Sequence, residues 1–347
     1  MRTRTNRRWC LAARPNGGIR PSDFEMTEVP VETPTEGEIL NRNVYLSLDP
    51  TNRVWVNSTP SYLPPVGIGE VMRGFALGVV EESRRADFAA GDIVQGLLGW
   101  QDYAISDGSG IRKVPGARGL HLPLTAHFGL FGHIGLTAYF GLLDIGKPAP
   151  GETVVVSAAA GAVGSLVGQI AKIKGCRVVG ITGSDDKVRW LTEVLHFDAV
   201  VNYKATSVMR GLKRHCPDGI DVYFDNVGGG ILDAALASIN LKARIVLCGM
   251  ISQYNAEKPS PGPYLLANAI SKRARLEGFI VSDYYDRANE AIESLVRWYS
   301  EGRVTYRVDI VDGLEHAPEA LGKLFDGTNR GKLLVKISEE PPTGGAG

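Results

Sequence analysis

Apolar positions along the chain change their rhythm near residue 130. Before that point they form short runs broken by Gly and Pro, as in GEILNRNVYLSL, GEVMRGFALGVVEES and GDIVQGLLGWQDYAIS. No long helical period accompanies these runs, and the pattern predicts a compact β-rich domain with many connections. Gly91-Asp92 ahead of Ile93-Val94 reads as a turn feeding a strand. Trp100 and Tyr103 suit either a core or the rim of a cleft, with the core the plainer assignment.

From about His127 the pattern alternates. HFGLFGHIGLTAYFGLLDIG predicts one or two apolar helical turns, and Thr153 to Val156 a buried strand. AVGSLVGQIAKIKG then has helical spacing, CRVVGIT reads as strand, SDDKVRWLTEVL as helix and DAVVNY as a short strand. SVMRGLKRHC (helix), IDVYFDNV (strand), ILDAALASIN (helix) and ARIVLCG (strand) continue the series. Near-continuous apolar strands separated by helices predict a parallel sheet covered on both faces. A polar, proline-rich loop, SQYNAEKPSPGP, interrupts the order. Beyond it the pattern predicts a helix near Tyr264 to Arg273, a strand RLEGFIVS and an amphipathic helix from about Arg287 to Glu301. Strand VTYRVDI, a helix around Ala317 to Phe325 and strand KLLVKI follow, and the tail EEPPTGGAG reads as disordered.

The stretch TVVVSAAAGAVG holds the chemistry of this pattern. A strand, a small-residue turn and a helix N-terminus form a site for a dinucleotide pyrophosphate, because backbone N–H groups there point at the anion. Gly161 lets the main chain approach, Ala162 and Val163 open the helix, and Gly164 lets helix and strand pack closely. The fuller fingerprint has glycine where this chain has Ala159, and an ordinary strand–helix turn is the alternative.

An NAD site carries Asp or Glu at the end of the second strand, about twenty residues beyond the glycine turn. Here that end reads Ile181-Thr182-Gly183-Ser184, with no carboxylate in the expected place. Ser184 offers a donor to a ribose 2′-phosphate and Lys187 a cation, so NADP is preferred over NAD. The alternative makes Ser184 only a helix N-cap and Lys187 a solvated residue, with Asp185 and Asp186 suited to the first turn. Asn226, in FDNVGGG, and Cys248-Gly249 stand at the ends of the fourth and fifth strands, where a backbone can lie along the nicotinamide half.

Composition narrows the rest. With 347 residues the chain has room for two domains. Lys plus Arg and Asp plus Glu both number 38, so no bulk field attracts nucleic acid or an anionic membrane. Cys10, Cys176, Cys216 and Cys248 are scattered without a CxxC pair, which predicts neither a disulfide framework nor a clustered thiolate metal site. The basic N-terminus MRTRTNRRWCLAARP lacks the apolar region of a targeting peptide, and no run of 18 consecutive apolar residues predicts a membrane span. A cytoplasmic location is the expectation.

With these segments placed, the chain resembles the zinc-free medium-chain dehydrogenase/reductase proteins, within them the prostaglandin reductase (leukotriene B4 12-hydroxydehydrogenase) and curcumin reductase group. The likeness runs from NRRW at 6–9 to GKLLVKI at 331–337. It is most specific in YLSLDP, GWQDYAIS, GLTAYFGLLDIG, the stretch 154–187, FDNVGG and RIVLCGMISQYN. The resemblance implies an α/β fold: a Rossmann-type doubly wound parallel sheet at 131–304, inserted into a GroES-like β-rich catalytic domain built from 1–130 and 305–347. It implies NADPH in the cleft and reduction of the C=C bond of an α,β-unsaturated ketone or aldehyde. Carried onto this chain, Gly161, Ala162, Val163 and Gly164 flank the pyrophosphate, while Lys187 and Tyr203 reach the 2′-phosphate. Asn226, Cys248, Gly249 and Asn329 lie along the cofactor, and Tyr254 stands near the nicotinamide ribose and the substrate carbonyl. The GHE motif and four-cysteine lobe of zinc-dependent relatives are absent. Two segments depart from the group: Thr51-Asn52 replaces Tyr-Met, and His133-Ile134 replaces Met-Pro before GLTAY. Both border the cleft in the family, so the substrate can differ; His133, in an apolar stretch, reads as a packed histidine.

Hydride addition to a β-carbon needs an enone held face-on and a donor for the developing enolate oxygen, for which Tyr254 and the ribose 2′-OH are the candidates. Water is a sufficient proton source for the α-carbon. A quinone reductase on the same scaffold and a non-catalytic NADPH-binding protein are the rival readings. A homodimer is implied by the resemblance, with RLEGFIVSDY as an edge strand that a two-fold partner extends and Phe279, Ile280 and Val281 covered by it.

Overall fold

The computed structural model describes residues 4–59, 61–114, 122–258 and 260–341. It divides into two compact units, one of residues 1–125, 309–328 and 333–347, the other of 126–308 with 329–332.

The unit holding both chain ends is built on β-strands, as its short apolar runs predict. Strands β1 (Thr5–Leu11) and β2 (Phe24–Pro30) pair antiparallel. Then come β3 (Ile39–Ser47), β4 (Ala76–Ser83), β5 (Ile93–Gly96), β6 (Tyr103–Ser106) and β7 (Arg112–Lys113). β1 was not foreseen, because NRRW carries only one large apolar side chain between charges. Trp100 is fully buried and stacks on Phe24 with ring centroids 5.4 Å apart, while Tyr103 is half-buried.

In the second unit, β8 (Thr153–Val156), β9 (Arg177–Thr182), β10 (Ala199–Asn202), β11 (Ile220–Asp225), β12 (Ile239–Leu247) and β13 (Arg275–Gly278) form a parallel sheet. The strand order is β10-β9-β8-β11-β12-β13, so the chain reverses its direction of winding between β8 and β11. That reversal opens a crevice at the C-terminal ends of the strands, where open α/β sheets bind ligands. β8 is wholly buried, as its unbroken TVVV run demands. The last strands, β14 (Val308–Asp312) and β15 (Lys332–Lys336), extend the first unit's sheet in the order β14-β15-β3-β4-β5-β7, with β6 on β3.

Further elements differ from the sequence reading. The expected one or two helical turns after His127 are a longer apolar stretch, with helices Ala126–Gly129 and His133–Phe140 running into a π-helical segment, Gly141–Gly146. Ala126–Gly146 is long and apolar enough to cross a membrane by length and composition, contrary to the expectation from consecutive apolar residues, but 78% of its most apolar window is buried in the protein. RLEGFIVS is strand only as far as Gly278. Phe279 turns inward, edge-on to Phe224 at 6.5 Å and to Tyr284 at 6.3 Å, so it does not lie on the open edge proposed for pairing. VTYRVDI begins its strand at Val308, because Thr305 is held instead by Gln169 through both its N–H (2.8 Å) and its C=O (2.9 Å). Most of the tail predicted to be disordered, 342–347, lies outside the described residues.

Candidate functional site

β8 ends in a turn whose geometry depends on missing side chains. Ala158 sits in the left-handed region (φ 46°), its carbonyl accepts the Gly161 N–H at 2.9 Å, and the Ala159 N–H ties the turn to Ile181 O at 3.0 Å. Gly161 caps helix Ala162–Ile173. A Cβ at Gly164 would lie 2.5 Å from Ala158 O and 2.9 Å from Ala159 Cα, so glycine is required there. A Cβ at Gly161 would meet only Ala158 O, at 3.1 Å, and the remaining side of that residue is open. The first helical N–H groups, of Ala162, Val163 and Gly164, have no carbonyl one turn back and form an anion cradle. Ala159 is tolerated because Gly180, across on β9, has no Cβ; one there would come 2.9 Å from the Ala159 methyl.

The late segment carrying Asn329 joins this turn. Gly331 makes a parallel bridge with Gly161, and Asn329 Nδ2 donates to Gly331 O at 3.0 Å. Gly331 is left-handed (φ 78°), and a Cβ on it would lie 2.2 Å from Arg307 O, so the bridge needs glycine.

At the end of β9 the structure adds groups the sequence reading missed. Ser184 is the N-cap of helix Asp185–Arg189, but its hydroxyl donates to Asp186 Oδ1 at 2.6 Å and not to a backbone N–H. Asp186 also pairs with Arg330 at 3.4 Å. The Ser184 hydrogen bond, helped by the Arg330 charge, holds the Asp186 carboxyl below the usual range. Asp185 accepts from Asn202 Nδ2 at 2.7 Å. Tyr203, 43% exposed, lies over Gly183, where a Cβ would come within 2.7 Å of the phenol oxygen. Ser184 and Tyr203 therefore meet at one sheet end, Lys187 lies on the short helix that Ser184 caps, and Arg330 arrives there from nearly 150 residues further along the chain. The only sequence signal for Arg330 was its place next to Asn329.

The ends of β8, β11 and β12 are locked together by Asp225, also missed. Its Oδ1 accepts from Ser157 Oγ (3.0 Å), Tyr223 Oη (2.9 Å) and the N–H groups of Val227 and Gly228 (both 3.0 Å). Its Oδ2 is buried with no hydrogen-bond partner. Burial pushes this carboxyl up, against the opposing pull of those donors. Asn226 is pinned to the same node, since its N–H donates to Ser157 Oγ and its Nδ2 to Ser157 O, both at 2.8 Å. Asp225 O receives the N–H groups of Cys248 (2.9 Å) and Gly249 (3.0 Å). Burial, with the Asp225 charge adding to it, pushes the Cys248 thiol up to about 12, so it stays neutral near pH 7.

Tyr254 lies in a single helical turn, Ile251–Tyr254, within the segment read as loop. Ser252 ties that turn to Val227, with Oγ donating to Val227 O at 2.6 Å. Tyr254 Oη accepts the Met250 N–H at 3.0 Å and sits 3.3 Å from where a Cβ on Gly249 would be. Its phenol oxygen is thereby held just beyond the end of β12. Next to it, Asn255 Oδ1 is buried without a hydrogen-bond partner.

The departures from the family pattern are partly structural. Asn52 is buried, its Oδ1 accepting Asp49 N–H at 2.7 Å and its Nδ2 donating to Arg73 O at 3.1 Å. His133 packs edge-on to Phe128 at 6.2 Å, and its carbonyl accepts the Thr137 hydroxyl at 2.6 Å. All four cysteines are free, and among the described residues no group of three or more His, Cys, Asp and Glu is placed to hold a metal ion.

Comparison with known proteins accords with this architecture. Residues 7–114 match the family described as the N-terminal domain of oxidoreductase, and residues 162–300 that described as zinc-binding dehydrogenase. The chain is 47% identical over 339 residues to the NADPH-dependent curcumin reductase of Escherichia coli, covering 96% of this chain and 97% of that one. It is 42% identical over 330 residues to prostaglandin reductase 1 of Rattus norvegicus, covering 94% and 98%. The crystal structure of CurA from Vibrio vulnificus in complex with NADPH superposes with a TM-score of 0.91 at 44% identity, covering 96% of this chain and all of that one. The chain belongs to the zinc-independent medium-chain dehydrogenase/reductase family, in the group of the curcumin and prostaglandin reductases.

Proposed function

We propose that this protein uses NADPH to reduce the C=C bond of α,β-unsaturated ketones and aldehydes. The observation that carries the reading is full-length kinship to an NADPH-dependent curcumin reductase and a prostaglandin reductase, on a chain whose strand ends converge as such a site requires. The residues fit the cofactor: the turn at Gly161 is open on its outer side, the helix N-terminus behind it offers N–H groups, and Asn255 Oδ1 is a buried acceptor in want of a donor. Gly161, Ala162, Val163 and Gly164 hold the pyrophosphate, Ser184, Lys187 and Tyr203 the 2′-phosphate, and Asn226, Cys248, Gly249 and Asn329 the length between. When bound, NADPH supplies the hydride.

The protein's part is orientation and charge stabilisation. In this reading Tyr254 donates its O–H to an enolate oxygen, and the Met250 N–H on its oxygen eases the charge that develops on the phenol. Water delivers the α-proton. Nucleotide binding falls to the unit of residues 126–308 with 329–332, which also carries Tyr254.

An NADPH-consumption assay over enones, alkenals and quinones, with mass analysis of products, tests the reading. A saturated ketone or aldehyde supports it. Quinone turnover without enone turnover supports a quinone reductase, and NADPH binding without oxidation across the panel supports a non-catalytic protein. The reading also includes a homodimer paired along the β13 edge at Arg275–Gly278, a cytoplasmic location, and no nucleic-acid or membrane partner. Light scattering that gives a monomer mass at micromolar protein overturns the dimer.

A further inference from the structure

At the far end of the same sheet from the nucleotide turn, five cations surround a recess of about 350 Å³: Lys147, Lys242, Arg244, Arg273 and Arg275. The cofactor residues stand beyond the last residues of β11 and β12. Arg275, by contrast, is the first residue of β13, and it lies directly opposite Arg244 in register. Like charges placed opposite one another across a strand pair repel. The two arginines are nonetheless fixed in place. Arg244 donates to Gly146 O at 2.8 Å and Lys147 O at 3.0 Å and pairs with Glu152. Arg275 donates to Ile145 O and pairs with Glu277 at 3.2 Å.

The other three cations are set around these by unusual backbone. Lys147, Lys242 and Arg273 are three of the five described non-glycine residues with positive φ, at 45°, 60° and 50°. Lys147 ends the π-helical segment Gly141–Gly146, and Arg273 ends helix Ala267–Lys272. Left-handed backbone is uncommon for residues that carry a Cβ, and three such residues, all basic, stand around this one recess. Five cations meet two carboxylates, Glu152 and Glu277, which leaves three positive charges in excess on a chain whose net charge is zero. A volume of this size lies in the range of small-ligand sites, and fixed guanidinium groups are suited to tetrahedral and planar oxyanions.

The geometry points to a second anion site at this recess, one that takes a small polyphosphate group of three or more negative charges. The occupant neutralises the excess charge and bridges β12 and β13 through Arg244 and Arg275, with Lys147, Lys242 and Arg273 closing around it. A free polyphosphate and the phosphate tail of a nucleotide share this chemistry.

The test is isothermal titration of inorganic pyrophosphate and, separately, ATP into full-length protein already saturated with NADP+, so that the pyrophosphate cradle at Gly161 is filled. Ionic strength is held constant. The expected result is saturable, one-to-one binding of at least one of the two. Equal affinities place recognition on the phosphates, and ATP binding at least tenfold tighter extends it to a nucleoside. The double variant Lys242→Asn, Arg273→Asn removes two cations and keeps residues that tolerate left-handed backbone. It should weaken binding at least tenfold while leaving the NADPH dissociation constant and the thermal midpoint unchanged. Lys213→Glu, at an exposed position on a helix elsewhere, should leave polyphosphate binding intact. Absence of saturable heat in the native protein, or an unchanged affinity in the double variant, overturns the site.

Discussion

At the end of β11, the polar groups around Asp225 are removed from water, whereas at the end of β9 those around Asp186 remain in it. Asp225 is fully buried and gathers four donors on one oxygen. Asp186 keeps 41% of its side chain exposed, and its partner Arg330 keeps 56%. The first arrangement resists change, because any missing partner leaves buried groups without hydrogen bonds. The second exchanges partners readily, because water screens it and competes for every contact. Both border one crevice, so the end proposed to position Tyr254 is dry, and the end proposed for the 2′-phosphate is wet.

The largest expected effect breaks the dry node. Asp225→Ala strands Ser157, Tyr223 and two backbone N–H groups, and chemical denaturation should show a loss of roughly 3 kcal/mol or more. Asp225→Asn keeps an acceptor and should cost far less. The pH dependence has a definite sign, because burial raises this carboxyl in the folded state. Its contribution is complete below the usual carboxylate range and is lost as pH rises through the raised folded value. In Asp225→Asn that fall in stability with pH should flatten; a persistent slope would assign it to another group.

Next is Tyr254, which the dry node positions through Val227 and Met250. Tyr254→Phe keeps the ring and removes the proton. Turnover should fall on the order of tenfold to a hundredfold with NADPH binding nearly unchanged. The measurement needs conditions where deuterated NADPH shows an isotope effect, and equal turnover there removes Tyr254 from the mechanism.

The wet end should respond in cofactor affinity and not in turnover. Lys187→Ala should weaken NADPH binding by about 1.5–3 kcal/mol and leave NADH nearly untouched, as only NADPH carries the extra phosphate. Equal weakening of both in calorimetry would move Lys187 out of the 2′-phosphate site. Smallest of all is Asp186→Asn. The Ser184 hydroxyl and Arg330 both lose a competing carboxylate, and NADPH should bind tighter by roughly 0.5 kcal/mol, the scale of an exposed pair. Weaker binding would show instead that Asp186 orients Ser184 for the phosphate.

The sequence by itself determined the alternation of strands and helices in the second unit, the glycine turn and the β-rich first unit. These rest on local rules: an apolar run buries as strand, a helical period buries one face, and a turn that approaches a ligand excludes Cβ. Gly161, Gly164, Asn226 and Cys248 were legible as candidates for that reason, each standing at the end of a recognisable strand or just beyond, whereas Tyr254 was singled out by the resemblance. Only the tertiary structure decided which of these ends share a crevice and what their side chains do there. Ser184 reads alike as a phosphate donor and as an N-cap, yet its hydroxyl is turned to Asp186. Asp225 looks like one more polar residue at a strand end, and its role exists only because β8 and β12 bring Ser157, Cys248 and Gly249 to it. Gly180 makes room for Ala159, Arg330 reaches Asp186, and Arg244 faces Arg275, all between residues more than twenty positions apart. Such pairings depend on register and strand order, which no local period encodes, because burial and hydrogen bonding act on whatever the fold brings within a few ångströms.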